Sequence, residues 1–188
     1  MKNAIALFAV AGLACAASAQ TALLVLPANT ASFDNPGSPN NVVLTYDVAA
    51  SAGFPTGTPI NLLTLSFDVN IETLDESWLS EARMLFRSSS NAQLFSFAPS
   101  GTGAASQRPS VGIENFFGGP LSLAGLPPAS RFLSDGMIRI EFFESFDDAA
   151  NTIDAFFRSG SVSFTVIPTP GAAALLGLGA LAAGRRRR

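Results

Sequence analysis

The chain has no histidine, one cysteine and one lysine, and these shortages close most routes to side-chain catalysis. A Ser–His–Asp or Cys–His mechanism needs an imidazole or an equivalent base beside its nucleophile. The lysine is Lys2 and the cysteine is Cys15, both inside an N-terminal apolar leader. A Ser–Lys pair in the remaining chain is therefore excluded, and so are zinc sites built on His or Cys. One Trp and one Tyr leave little aromatic surface for lining a catalytic sugar cleft.

The leader has the three parts of a secretory signal peptide over residues 1–19. Lys2 supplies the positive start, residues 5–14 the apolar stretch, and Ala17-Ser18-Ala19 the small-x-small cleavage site. Gln20 becomes the expected mature terminus. A lipoprotein reading of Cys15 wants a Leu-like residue three positions earlier, where Gly12 stands. Loss of Cys15 with the leader removes every possible disulfide.

The other end is equally patterned. Pro168 and Pro170 lack amide donors and have fixed φ, so a preceding strand stops there. Residues 171–184 contain only Ala, Leu and Gly, and Arg185, Arg186, Arg187 and Arg188 close the chain. As a helix, residues 172–184 would span roughly 20 Å, against a bilayer core about 30 Å thick. The arginines would hold that end on the cytoplasmic side.

This layout resembles the PEP-CTERM sorting signal of exported bacterial proteins: a Pro-Glu-Pro motif, a short hydrophobic helix and a basic cluster. The motif here is Pro168-Thr169-Pro170, followed by Gly171, with Thr169 in the place usually held by Glu. The resemblance implies recognition by an exosortase-type membrane protease, at least transient membrane contact, and delivery to the cell envelope, surface or exopolysaccharide matrix. A simple single-pass tail anchor is the alternative for residues 166–188.

Residues 20–165 make one domain of roughly 145 residues, large enough for a real core. They hold all 14 acidic residues and six arginines, a net charge of −8. Such a balance repels phosphate backbones, so nucleic acid is not an expected partner.

Within this region the dominant period is two. Residues 41–48 are rich in β-branched and aromatic side chains. Residues 60–71 alternate, with Leu63, Leu65, Phe67, Val69 and Ile71 opposite Leu62, Thr64, Ser66, Asp68 and Asn70. Ala82, Met84 and Phe86 oppose Glu81, Arg83 and Arg87, and residues 94–98, 137–143 and 161–167 continue the pattern. Residues 75–86 also fit a helical face, but a turn followed by a strand is preferred; residues 147–157 have room for one helical turn. The expected fold is all-β, a single two-sheet sandwich. Residues 77–86, 138–148 and 160–166 resemble the jelly-roll domains that flank secreted bacterial proteases, which are similar to the proprotein-convertase P domain.

With imidazole and thiol chemistry excluded, carboxylates remain. Asp68, Glu72, Asp75, Glu76 and Glu81 form one group of candidates, and Glu141, Glu144, Asp147, Asp148 and Asp154 the other. Glu144, Asp147, Asp148 and Asp154 are the candidate calcium ligands, although their spacing fits no standard calcium loop. Otherwise they form a solvated acidic turn. Most phenylalanines read as core, with one of each adjacent pair on a second face or beneath a loop, and Phe116-Phe117 as a candidate exposed patch. The expected function is non-enzymatic: an exported surface or matrix protein, structural or adhesive in exopolysaccharide. The alternatives are a calcium-dependent carbohydrate- or protein-binding module and a small secreted hydrolase using carboxylates.

Overall fold

The computed structural model describes residues 18–146, 152–169 and 171. Among the described residues ten strands run in chain order: β1 (Gln20–Leu26), β2 (Thr30–Ser32), β3 (Val43–Asp47), β4 (Ile60–Thr73), β5 (Ala82–Ser88), β6 (Gln93–Phe97), β7 (Glu114–Ser122), β8 (Phe132–Leu133), β9 (Met137–Glu144) and β10 (Ala155–Pro168). One four-residue helix, α1 (Val48–Ser51), follows β3, started by Asp47, whose carboxylate accepts from the Ala50 amide at 2.8 Å. Among the described residues no helix is long and apolar enough to cross a membrane.

The strands form two antiparallel sheets. One has the order β1-β10-β4-β7, with β2 added on β10 and β8 on β4; the other has the order β3-β9-β5-β6. With the short β2 and β8 set aside, only β5 and β6 are chain neighbours in one sheet. Every other connection crosses the sandwich, and this interleaved order is that of a jelly roll. The sandwich expected from the alternating strands is therefore the observed fold.

Alternation decides which side chains enter the layer between the sheets. On β1, Ala22, Leu24 and Leu26 are buried while Leu23 and Val25 face outward. On β10, Phe157, Val162, Phe164 and Val166 point in, and Ser161, Ser163 and Thr165 alternate with them. Phenylalanines bridge the two sheets. Phe142 on β9 meets Phe157 on β10 edge-on at 4.8 Å, and Phe86 on β5 meets Phe164 at 5.7 Å.

One expected face is corrected by the structure. Leu65, Val69 and Ile71 are buried as the alternation implies, yet so are Ile60 and Leu62, while Leu63 is only half-buried. The pairing of β4 with β10 slips between Thr165 and Val166, whose partners are Thr64 and Leu62, and Leu63 is left between them. The extra residue resets the pleat, so the inward set changes phase midway along the strand. A second slip lies between Phe157 and Ser159. Close by, Gly160 has φ +146, and a Cβ there would stand 2.4 Å from the Asp68 carbonyl oxygen.

The 75–86 segment resolves as expected into a turn followed by β5. Phe142 and Phe143 are both buried, the first in the core and the second on the outer face of its sheet, whereas Phe117 is 77% exposed. Strand β10 runs through Pro168, and the Thr169 amide still donates to the Pro59 carbonyl at 3.0 Å. The sheet thus extends past residue 165 to the first proline of the tail motif.

Candidate functional site

The strand order gathers four connections at one end of the sandwich: β1 to β3, β4 to β5, β6 to β7 and β9 to β10. Carboxylates far apart in sequence meet at this end. Asp34 comes from the first connection, Asp75, Glu76 and Glu81 from the second, and Glu144 and Asp154 from strand ends at the last.

At this end lies an open cleft of about 650 Å³, lined by Asp75, Glu76, Trp78, Glu81, Pro109 and Phe146. Its shape is set by the turn after β4. The Leu74 amide donates to the Asp154 carbonyl at 2.7 Å, fixing the turn to the start of β10, and the Ser77 amide donates to the Leu74 carbonyl at 3.1 Å. Asp75 takes φ 52, a left-handed conformation that Asp and Asn tolerate better than most residues. Trp78 and Glu81 then lock each other: the Trp78 amide donates to Glu81 Oε2 at 2.8 Å and the Glu81 amide to the Trp78 carbonyl at 2.9 Å.

That lock turns Leu79 inward, 1% exposed, and leaves the only Trp of the chain 41% exposed over the cleft. The opposite wall arrives through Glu81 as well, since its carbonyl accepts from the Ser145 amide at 3.0 Å. The next residue, Phe146, is 63% exposed. Pro109 is held from both sides. The Arg108 carbonyl accepts from the Leu79 amide at 2.9 Å, and Ser110 and Thr73 exchange amide-to-hydroxyl bonds of 2.8 and 2.9 Å.

The charge of the cleft is one-sided. The guanidinium of Arg108 is taken up by Glu114 through two bonds of 2.7 Å. That bond holds the Glu114 carboxyl below its ordinary range, with the Val111 amide assisting, and raises the guanidinium above its own. No arginine lines the cleft among the described residues.

The four candidate calcium ligands divide. Glu144 and Asp154 are buried and both approach Ser32: Glu144 Oε1 accepts from Ser32 Oγ at 2.8 Å, and the Asp154 amide donates to the Ser32 carbonyl at 3.1 Å. Asp147 and Asp148 lie outside the described residues, as do Pro170 and Arg185 to Arg188 of the tail motif. Among the described residues no group of three or more His, Cys, Asp or Glu side chains is placed to hold a metal ion. The described carboxylates therefore do not by themselves make the six- to eight-oxygen shell that calcium takes.

The other carboxylates are dispersed. Asp68 sits on the outer face of the first sheet, bonded by Asn115 at 2.8 Å, and Glu72 pairs with Arg158, whose guanidinium covers the Phe156 ring at 4.2 Å. Glu141 belongs to a smaller cavity of about 250 Å³ on the second sheet, with Asn41, Arg87 and Arg139 among its lining. The alternation of residues 82–86 carries no information about Trp78, which precedes the strand and stands at the surface. The available signal was three carboxylates within three positions of the only Trp.

No family model matches the chain, and no curated protein matches it significantly. Among solved structures it is similar to a chain of the T13 particle of IBDV, with 13% identity and a TM-score of 0.38 over 84% of this chain and 33% of that one. A structure of the infectious bursal disease virus Gx strain gives 11% identity and a TM-score of 0.33 over 79% and 32%. The chain spans about a third of the length of these structures. The fold assignment rests on the strand order itself.

Proposed function

We propose that this is an exported adhesive protein of the cell surface or exopolysaccharide matrix, whose sandwich holds polysaccharide in the cleft beneath Trp78. The observation that carries the binding role is an exposed Trp fixed by its own turn beside carboxylates in an open cleft. Aromatic side chains offer the apolar faces of sugar rings a rigid surface at low entropic cost, and carboxylates accept hydroxyl hydrogen bonds. Replacing Trp78 by Ala removes a 41%-exposed side chain and leaves the Leu79 anchor in place. Polysaccharide affinity of the full chain, read by affinity electrophoresis, should fall at least about tenfold with the melting temperature nearly unchanged. Unchanged affinity would dismiss the cleft as the binding site.

The export part rests on the leader and on the Pro168–Pro170 tail with its four arginines, which resembles a sorting signal. An exosortase-type protease is the proposed processing partner, acting at the membrane. Mass spectrometry of the protein from its native cells should find a form that starts at Gln20 and lacks residues 172–188. A membrane-bound form ending in Arg188 would instead leave a plain tail anchor.

A further inference from the structure

We infer that the cleft selects glycans bearing free, protonated amines over neutral or anionic ones, a refinement that rests on the polysaccharide reading above. The cavity and its two exposed aromatics define the site, and the surrounding groups define its sign. Trp78 and Phe146 present rings whose faces attract ammonium groups. Asp75, Glu76 and Glu81 add acceptors, and no cation lines the cleft among the described residues. Arg108, the basic residue beside Pro109, is engaged by Glu114.

A uronic acid entering this cleft meets like charge. An N-acetylated sugar strips water from carboxylates and returns only neutral donors. A protonated amine returns charged donors to acceptor-only groups, and charge-assisted bonds are the stronger kind. A lysine-rich polypeptide carries the same ammonium group. The cleft, at about 650 Å³, has the size of a ring-bearing ligand site, wider than one lysine side chain needs.

The test titrates the full chain with glucosamine oligomers, N-acetylglucosamine oligomers, oligogalacturonate and polylysine at two ionic strengths. Glucosamine oligomers should bind at least tenfold more tightly than the acetylated ones. The Asp75→Asn/Glu76→Gln double variant should abolish that preference while keeping the weaker acetylated binding; Asn suits the left-handed φ at position 75. Asp68→Asn, on the outer sheet face, should leave it intact. Equal binding of both oligomers overturns amine selection and leaves polysaccharide binding standing, whereas binding of no glycan removes both. A preference that survives the double variant places the selection elsewhere. Polylysine binding without glucosamine binding overturns the inference in favour of a polypeptide partner.

Discussion

Truncating Phe142 to Ala is expected to lower the unfolding free energy by about 3–5 kcal/mol. The ring is fully buried on β9 and meets Phe157 on β10 edge-on at 4.8 Å, so one side chain from each sheet forms the contact. Removing it withdraws buried apolar surface and leaves a cavity between two hydrogen-bonded layers. Neither layer can close that cavity without shifting its register, which the strand pairings on both sides oppose. A domain of this size has only about 5–15 kcal/mol of stability, so the variant should sit near the edge of folding. Phe117 is the internal control. It has the same side chain in the same sandwich at 77% exposure, and its truncation should change stability by less than about 0.5 kcal/mol. Urea unfolding of both variants, followed by far-UV circular dichroism, decides the matter. Equal losses would mean that the sheets are not held by this aromatic bridge.

The contrast between these two phenylalanines also marks what the sequence can show. Alternation reveals that a residue faces one side of a strand, and it placed Ala82, Met84 and Phe86 on a buried face correctly. It cannot reveal which side is covered when a bulge changes the phase, as happens at Leu63 on β4. The bulge is a property of the β4–β10 pairing, and that partner lies about a hundred residues away, as the Thr64–Thr165 hydroxyl bond shows. The cleft was unreadable for the same reason. Trp78 and Phe146 stand far apart in the chain, and only the jelly-roll crossings bring the β4–β5 and β9–β10 connections to one end. The sequence offers two groups of carboxylates, residues 68–81 and 141–154, and names Glu144, Asp147, Asp148 and Asp154 as the candidate calcium ligands. Glu144 and Asp154 both lie against Ser32, Asp147 and Asp148 lie outside the described residues, and the open cleft is lined by Asp75, Glu76 and Glu81.

Glu141→Ala should be nearly as damaging as the core truncation, by about 3–5 kcal/mol, although the residue is charged and lies outside the layer between the sheets. Glu141 is only 4% exposed on β9. Its Oε1 accepts from the Gly37 amide and from Asn41 Nδ2 at 3.0 Å, and its Oε2 accepts from Arg87 Nε on β5 at 3.2 Å. One carboxylate thus joins a strand, its neighbour in the sheet and the loop of residues 33–41. That loop is also bonded internally: Asn41 Oδ1 accepts from the Asp34 amide at 3.0 Å, and Ser38 Oγ donates to Asp34 Oδ2 at 2.6 Å. Those bonds shape the loop but do not fasten it to the sheet. Backbone links at its ends, Phe142 to Val42 and Glu144 to Asp34, would survive the substitution. Alanine leaves the Arg87 guanidinium, whose side chain is only 17% exposed, without its acceptor and releases the Gly37 amide, which lies on an exposed turn of the loop. An exposed ion pair would contribute at most about 1 kcal/mol, so the size of the loss reports burial more than charge. Hydrogen exchange should show the Gly37 and Ser38 amides losing protection beyond the global change. Glu141→Gln, which keeps one acceptor for the loop and loses the charge facing Arg87, should fall between the two. A Glu141→Ala variant with unaltered unfolding and unaltered exchange at Gly37 would show that the backbone links alone hold the loop.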